Sequence, residues 1–450
     1  MPLLVALSHA LPLWVVLLGG MALGSIVNWA IYRLAWNPRE ISPWGPRPAK
    51  APPRKWSDRL PVIGWLGLRR EHVIHGRGFW LRPLAVELGL GMGLAVLYWW
   101  EVEQLGLIAG QVNDLFGVPV ALADGALTGS MLWPTFITHA LLVVFMAAAS
   151  FIDIDEKIIP DEVTLPGTML GLVLATLLPL SLLPHVSKGN APPEVGEVIQ
   201  LPAVVAGLLN GNEQVYTEPV TLAAPNRWPV ELQGAPNWKS LVVGQACWWL
   251  WCFALAPRIW RGRHGAIRAI SLIARRVSRE LTRPPLAVFA WPGSLAIAAI
   301  WWLGGAAWLG LLTALVGLAV SGGLVWIVRL VGTAALGREA MGFGDVTLMM
   351  MVGTYLGWQA GVLIFFVAPF AGLIVGIVQA VTQHNDVIPY GPFLCLGSVF
   401  VMVGWSDVWN RTQFAFQDGW LVPVVLLFCM SLLAAMLAGW QQVKRRLFRR

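Results

Sequence analysis

Eleven apolar runs, most of them close to 20 residues long, dominate this chain and leave few folds open to it. They lie near 10–32, 84–104, 133–152, 162–184, 241–257, 285–304, 305–330, 346–367, 368–383, 390–406 and 420–441. A stretch of that length spans the hydrocarbon of a bilayer as a helix, because a helix satisfies its own backbone hydrogen bonds where no water can. Only 12% of the 450 residues are charged, about half the share in a soluble domain. The fold class expected is an all-α polytopic helical membrane protein with about 8–11 transmembrane helices. The first run has no basic segment before it and reads as a retained helix, not a cleaved signal. Cys247, Cys252, Cys395 and Cys429 form no CxxC pair, so neither a disulfide framework nor a thiolate metal site is expected.

Alternating helices divide the connecting segments into two sets. One set, 33–83, 153–161, 258–284, 331–345, 384–389 and the tail from 442, carries with Arg329 27 of the 31 Lys and Arg. The other keeps only Lys188, Arg227, Lys239 and Arg411. Basic residues accumulate on the cytoplasmic side, which puts the first set there, in the inner membrane of the cell. The net charge of +7 is therefore a topology signal, and no nucleic-acid partner is expected. The segment "RIWRGRHGAIRAISLIARRVSRELTR" (258–283) alternates basic and apolar positions at helical spacing, as a helix lying on anionic lipid would. "GMALG" (20–24) and "LGLGMG" (88–93) have small-residue spacing suited to close helix contact.

Six parts are expected: a first transmembrane helix (1–35), a large cytoplasmic loop (36–83), helices with a first acidic motif (84–184), an insertion (185–304), helices with a second acidic motif (305–441) and a basic tail (442–450). The insertion holds a polar, Pro- and Asn-rich extracytoplasmic stretch (185–240), an added helix pair and the basic segment.

Acids gather at two helix mouths. "FIDIDEKIIPDEVTLP" (151–166) places Asp153, Asp155, Glu156 and Asp161 around a break at Pro160. "GREAMGFGDVTLM" (337–349) places Glu339 and Asp345 before a long apolar run. The topology brings both clusters to one membrane face. Two carboxyls within a few ångströms cannot both ionise cheaply, so one holds a proton while the other acts as a base. That pair can take a proton from water and give one to a peptide carbonyl without a metal. Gly342 and Gly344 would let another chain approach closely. The bland reading is that these acids are solvated helix ends, Asp161 serving as an N-cap. A second functional reading, an ion or proton relay, is also open, although the acids sit at the rim and not in mid-span. A third is a catalytically inactive assembly factor.

Both motifs resemble the active-site motifs of the type IV prepilin peptidases, GxGD-type aspartic membrane peptidases. "GSIVNWAIYRL" (24–34), "LPVIGWLGLRR" (60–70), "RPLAVELGLG" (82–91) and "VIPYGPFL" (387–394) resemble further family segments, in order. The resemblance implies Asp153 and Asp345 as the catalytic pair, Asp153 standing eight residues before Asp161. Asp155 remains its rival, since spacing alone does not choose. Gly342 and Gly344 would shape the substrate groove, and Glu339 and Asp161 would orient substrate or support the pair. The family removes basic leaders from prepilins and type II secretion pseudopilins after a glycine, on the cytoplasmic side. Many members then methylate the new N-terminus with S-adenosylmethionine.

Three departures stand out. The family's cytoplasmic loop often binds zinc through two CxxC pairs, whereas here "HVIH" (72–75) and "SPWGPRP" (42–48) stand in their places. His72 and His75 alone cannot complete a tetrahedral site, so no metal is expected. Thr347 replaces a usual lysine, and 185–304 is additional. Proteolysis is expected and methylation is not secured. Nothing in the sequence sets an oligomeric state.

Overall fold

The computed structural model describes residues 2–39, 41–45, 47–48, 51–122, 125–127, 131–190, 195–225, 237–256, 275, 279, 286–337, 339–382 and 389–447. The longer helices are α1 (Pro2–Arg33), α2 (Leu81–Tyr98), α3 (Leu132–Glu156), α4 (Asp161–Leu177), α5 (Trp238–Leu255), α6 (Leu286–Leu303), α7 (Gly305–Leu336), α8 (Phe343–Thr382), α9 (Gly391–Val403), α10 (Trp405–Gln417) and α11 (Leu421–Leu447). Five helical segments among the described residues are long and apolar enough to cross a membrane, and the bent pair α9–α10 would make six. The polytopic helical class is thus present, with fewer full-length spans than the sequence suggests.

Three of the differences have a local cause. The run at 162–184 ends as a helix at Leu177, because the chain leaves helical geometry at Leu178 and Pro179 follows. The runs at 346–367 and 368–383 are joined in α8, whose interruption lies at Gly357 (φ 81°) instead of between them. The run at 390–406 turns by 92° between α9 and α10. The basic segment 258–283 lies almost entirely outside the described residues.

Small residues set the closest crossings, as they do where hydrocarbon removes the usual advantage of burying large ones. A Cβ on Gly20 of α1 would sit 2.9 Å from the Gly91 Cα of α2, and one on Gly24 would sit 2.6 Å from the Glu87 Cα. The two glycine-rich stretches therefore meet. Glu87 is buried beside them, and its oxygens accept from Ser25 Oγ (2.8 Å), Asn28 Nδ2 (3.2 Å), Trp65 Nε1 (2.8 Å) and the Val62 amide (2.5 Å). Four donors replace the hydration that burial removes, and they tie the loop after α1 to both helices.

The polar stretch after α4 contains a small antiparallel sheet that the all-helical reading did not foresee. Strands β1 (Pro184–Gly189), β2 (Glu197–Val198) and β3 (Gln214–Pro219) take the order β1-β3-β2, with Val186 opposite Thr217. The Trp409 indole donates to His185 Nδ1 (2.9 Å), and burial pulls that imidazole down to about 4, so it stays a neutral acceptor. Beyond β3, the Leu222 carbonyl accepts from Trp358 Nε1 and the Thr221 carbonyl from Gln359 Nε2. That end of the bundle lies on the order of 20 Å along α8 from Asp345. The sheet and the acidic motifs therefore occupy opposite ends.

Candidate active site

Asp153 and Asp345, 192 residues apart in the chain, line one cavity of about 540 Å³. Asp153 lies in the last turn of α3, and Asp345 in the first turn of α8. Both residues are more than 90% buried, yet they line a space large enough for a peptide segment. Lys157, Ile159, Gly342, Gly344 and Tyr390 share its wall.

The route of the chain explains the meeting. Helix α3 stops at Glu156, and Lys157 follows in the left-handed region (φ 58°, ψ 33°), its amide bonding back to the Asp153 carbonyl at 2.8 Å. Pro160 then takes the N-cap position of α4. Gly344 packs against this connection so closely that a Cβ there would lie 2.8 Å from Ile159 Cβ. At Gly342 the clearance is ordinary, 3.7 Å from such a Cβ to Asp345 Oδ2. The third wall comes from the start of α9. The Gly391 amide donates to Asp153 Oδ2 at 3.2 Å, and a Cβ on Gly391 would fall 2.6 Å from that oxygen. Only a glycine leaves the carboxylate where it is.

The remaining acids of the two motifs do not line the cavity. Asp155 pairs with Arg82 at 2.7 Å, two residues on and so roughly 200° around the helix from Asp153. Of the two rivals, Asp153 lines the cavity and Asp155 does not. Glu156 accepts hydrogen bonds from the backbone amides of Trp36 and of Asn37, the latter at 2.8 Å. Glu339 is turned outward to Arg329 and is well exposed. Asp161 is the first helical residue of α4, and Pro160 holds the N-cap position with no side-chain cap. The capping role is therefore corrected: Asp161 acts on the helix through charge at its positive end.

Two cavity residues went unnoticed as functional groups. Lys157 is an exposed cation on the wall beside Asp153. Tyr390 carries a hydroxyl there; burial, then the negative charge of nearby Asp345, push its phenol up to about 12, so it remains a neutral donor. The quoted "VIPYGPFL" was the available signal, read only as a resemblance.

The family's zinc does not fit this loop. Among the described residues no three His, Cys, Asp or Glu are grouped as a metal site. His72 Nδ1 lies 3.2 Å from the Arg69 carbonyl, and His75 lies 3.5 Å from Glu71. Glu71 is already held by the Arg54 guanidinium through two bonds of 2.8 and 2.9 Å. Asp58 pairs with Arg70 and accepts from the Lys55 amide at 2.6 Å. Ion pairs between segments perform the cross-linking there.

A sequence model of the type IV leader peptidase family matches residues 140–190 and 272–377. Each matched segment contains one of the two cavity aspartates, and the unmatched stretch between them lies within 185–304. Among curated relatives, the prepilin leader peptidase/N-methyltransferase of Pectobacterium carotovorum subsp. carotovorum is 34% identical over 82 residues, 18% of this chain and 29% of that protein. The protein of the same name from Pseudomonas aeruginosa is 31% identical over 94 residues, 20% and 31% of the two chains. That from Aeromonas hydrophila is 29% identical over 188 residues, 40% and 56%. The chain thus spans between about a third and just over half of these relatives' lengths. No solved structure matches it. Over both aspartate-bearing segments the chain is similar to the type IV leader peptidases.

Proposed function

We propose that this chain is an aspartic endopeptidase that removes leader peptides from type IV prepilins or type II secretion pseudopilins, cutting after a glycine. Asp153 and Asp345 are its catalytic pair. One observation carries the reading: acids from two distant segments, each within a family match, line a single peptide-sized cavity.

Hydrolysis needs only these groups and water. The ionised carboxylate takes a proton from water as its oxygen attacks the scissile carbonyl, and the protonated carboxyl gives its proton to the carbonyl oxygen. The tetrahedral intermediate then breaks its C–N bond, the amine leaving with a proton returned by the pair. The Gly391 amide orients Asp153 for the first step. The Tyr390 hydroxyl and Lys157 ammonium are donors within the same space for the substrate's backbone oxygens. Gly342 leaves room for a substrate backbone whose own side chain is absent at the cut, while Gly344 shapes the groove by letting Ile159 pack against it.

The cavity opens at the cytoplasmic face of the inner membrane on this reading. Its support is the bonding of Glu156 to Trp36 and Asn37, and of Asp155 to Arg82, which puts the most basic loop at the same end as the aspartates. The lipid bilayer holds the substrate's apolar helix, so its junction arrives at the rim. The relatives are also named N-methyltransferases; methylation of the new N-terminus would draw its methyl group from S-adenosylmethionine. The test is purified protein in detergent, a prepilin-like peptide with a Gly-Phe junction, and mass spectrometry with and without S-adenosylmethionine. Cleavage at the glycine is expected; an intact peptide in the presence of folded protein refutes the peptidase, and a 14-Da shift on the released N-terminus would add the methylase.

A further inference from the structure

The last turn of a helix is its least secure part, because its final carbonyls have no partners within the helix. Asp153 stands in that turn, three residues before α3 stops at Glu156. A carboxyl required to face the cavity therefore depends on whatever prevents this end from fraying.

Arg82, the second residue of α2, reaches across to it. Its Nη1 donates to both oxygens of Asp155, at 2.8 and 2.7 Å, and its Nη2 donates to the Phe151 carbonyl at 3.3 Å. The guanidinium also lies over the Phe151 ring, 5.4 Å from its centre. One side chain thus grips the residue two before Asp153 and the residue two after it. A cation at the carbonyl end of a helix is favoured by the peptide dipoles as well. Arg82 does not line the cavity. The pair is partly exposed, with 36% of the Arg82 side chain and 20% of the Asp155 side chain open to solvent, so its Coulomb attraction contributes little to stability. What three directed bonds provide is orientation.

We infer that Arg82 is a positioning residue, whose guanidinium joins Phe151 to Asp155 and so fixes the rotation at which the end of α3 presents Asp153 to the cavity. The consequence for catalysis rests on the peptidase reading above. Misplacing a reacting group by about 1 Å can cost on the order of 100-fold in rate, and a loosened turn moves a carboxyl at least that far.

The experiment compares wild type, R82M, R82K, D155N and R82M/D155N in detergent on the Gly-Phe peptide, with D153N as reference. R82M is expected to lower kcat by about 10- to 100-fold with KM within about twofold. R82K should recover part of the loss, and the double variant should be no slower than R82M, since both changes break one unit. A second arm needs no turnover: the D153C thiol is labelled with a maleimide, with and without R82M. Faster labelling in D153C/R82M is expected. A kcat for R82M within twofold of wild type beside an inactive D153N, a loss confined to KM, or equal labelling rates would overturn the inference. Full cleavage by D153N would instead overturn the catalytic role of Asp153, leaving the labelling arm to decide Arg82.

Discussion

Asp153 and Asp345 differ from every other acid of the two motifs in lining the cavity. Asp155 has Arg82 and Glu339 has Arg329, whereas Asp153 accepts from the Gly391 amide and shares its cavity with Asp345. Asp153→Asn and Asp345→Asn should each lower cleavage by about 10²- to 10⁴-fold, the range for losing a positioned acid or base. Asp155→Asn should act more mildly, through α3, and Glu339→Gln should leave cleavage near wild type. Gly391→Ala makes a finer test. The added methyl would press on Asp153 Oδ2, so a loss of kcat of at least about tenfold is expected with little change in melting temperature. An unaltered kcat for Gly391→Ala would mean that Asp153 does not act from the position seen.

Among elements, the end of α3 shows how far sequence could go. Each acid of "DIDE" has its own destination: Asp153 the cavity, Asp155 an arginine on α2, Glu156 the amides after α1. The chemistry of the segment was legible, because carboxyls at the mouth of an apolar helix are costly and must have partners. Which acid has which partner was not legible, because that depends on the rotation of one helix against two others. The glycine-rich crossing of α1 and α2 was readable for the opposite reason, since small residues at helical spacing serve contact with any neighbour. Lys157 was hidden because its left-handed backbone is unusual for a lysine and follows from the Pro160 break. In the loop, the fork between Arg54 and Glu71 is nearly buried, so Glu71→Ala should destabilise the loop by roughly 3 kcal/mol, leaving the guanidinium unpaired. Limited proteolysis between residues 51 and 80 reads this out: faster cutting is expected, and an unchanged rate would show that the ion pairs do not hold the loop.

For the whole molecule, the aspartates and the basic loop share one end of the bundle, and the sheet with its docking partners on α8 and α10 marks the other. Helix class followed directly from the apolar runs. Among the described residues fewer full-length spans are counted than runs, in part because breaks at Leu178, Gly357 and Gly404 divide or join runs by backbone geometry that hydropathy does not register. The sheet was missed because six-residue strands in a Pro-rich stretch declare themselves only on pairing. Since ion pairs cross-link the loop, chelators should leave both cleavage and thermal stability unchanged; a drop in either after metal stripping, restored by zinc, would contradict this account of the loop. The central claim is that two acids work as one catalytic unit. Its most direct test is the initial rate of leader removal, followed by mass spectrometry, for wild type, D153N, D345N and the double variant at equal folded concentration. Each single variant is expected to be as inactive as the double. A single variant that cleaves at the wild-type rate, or losses that multiply in the double, would contradict it.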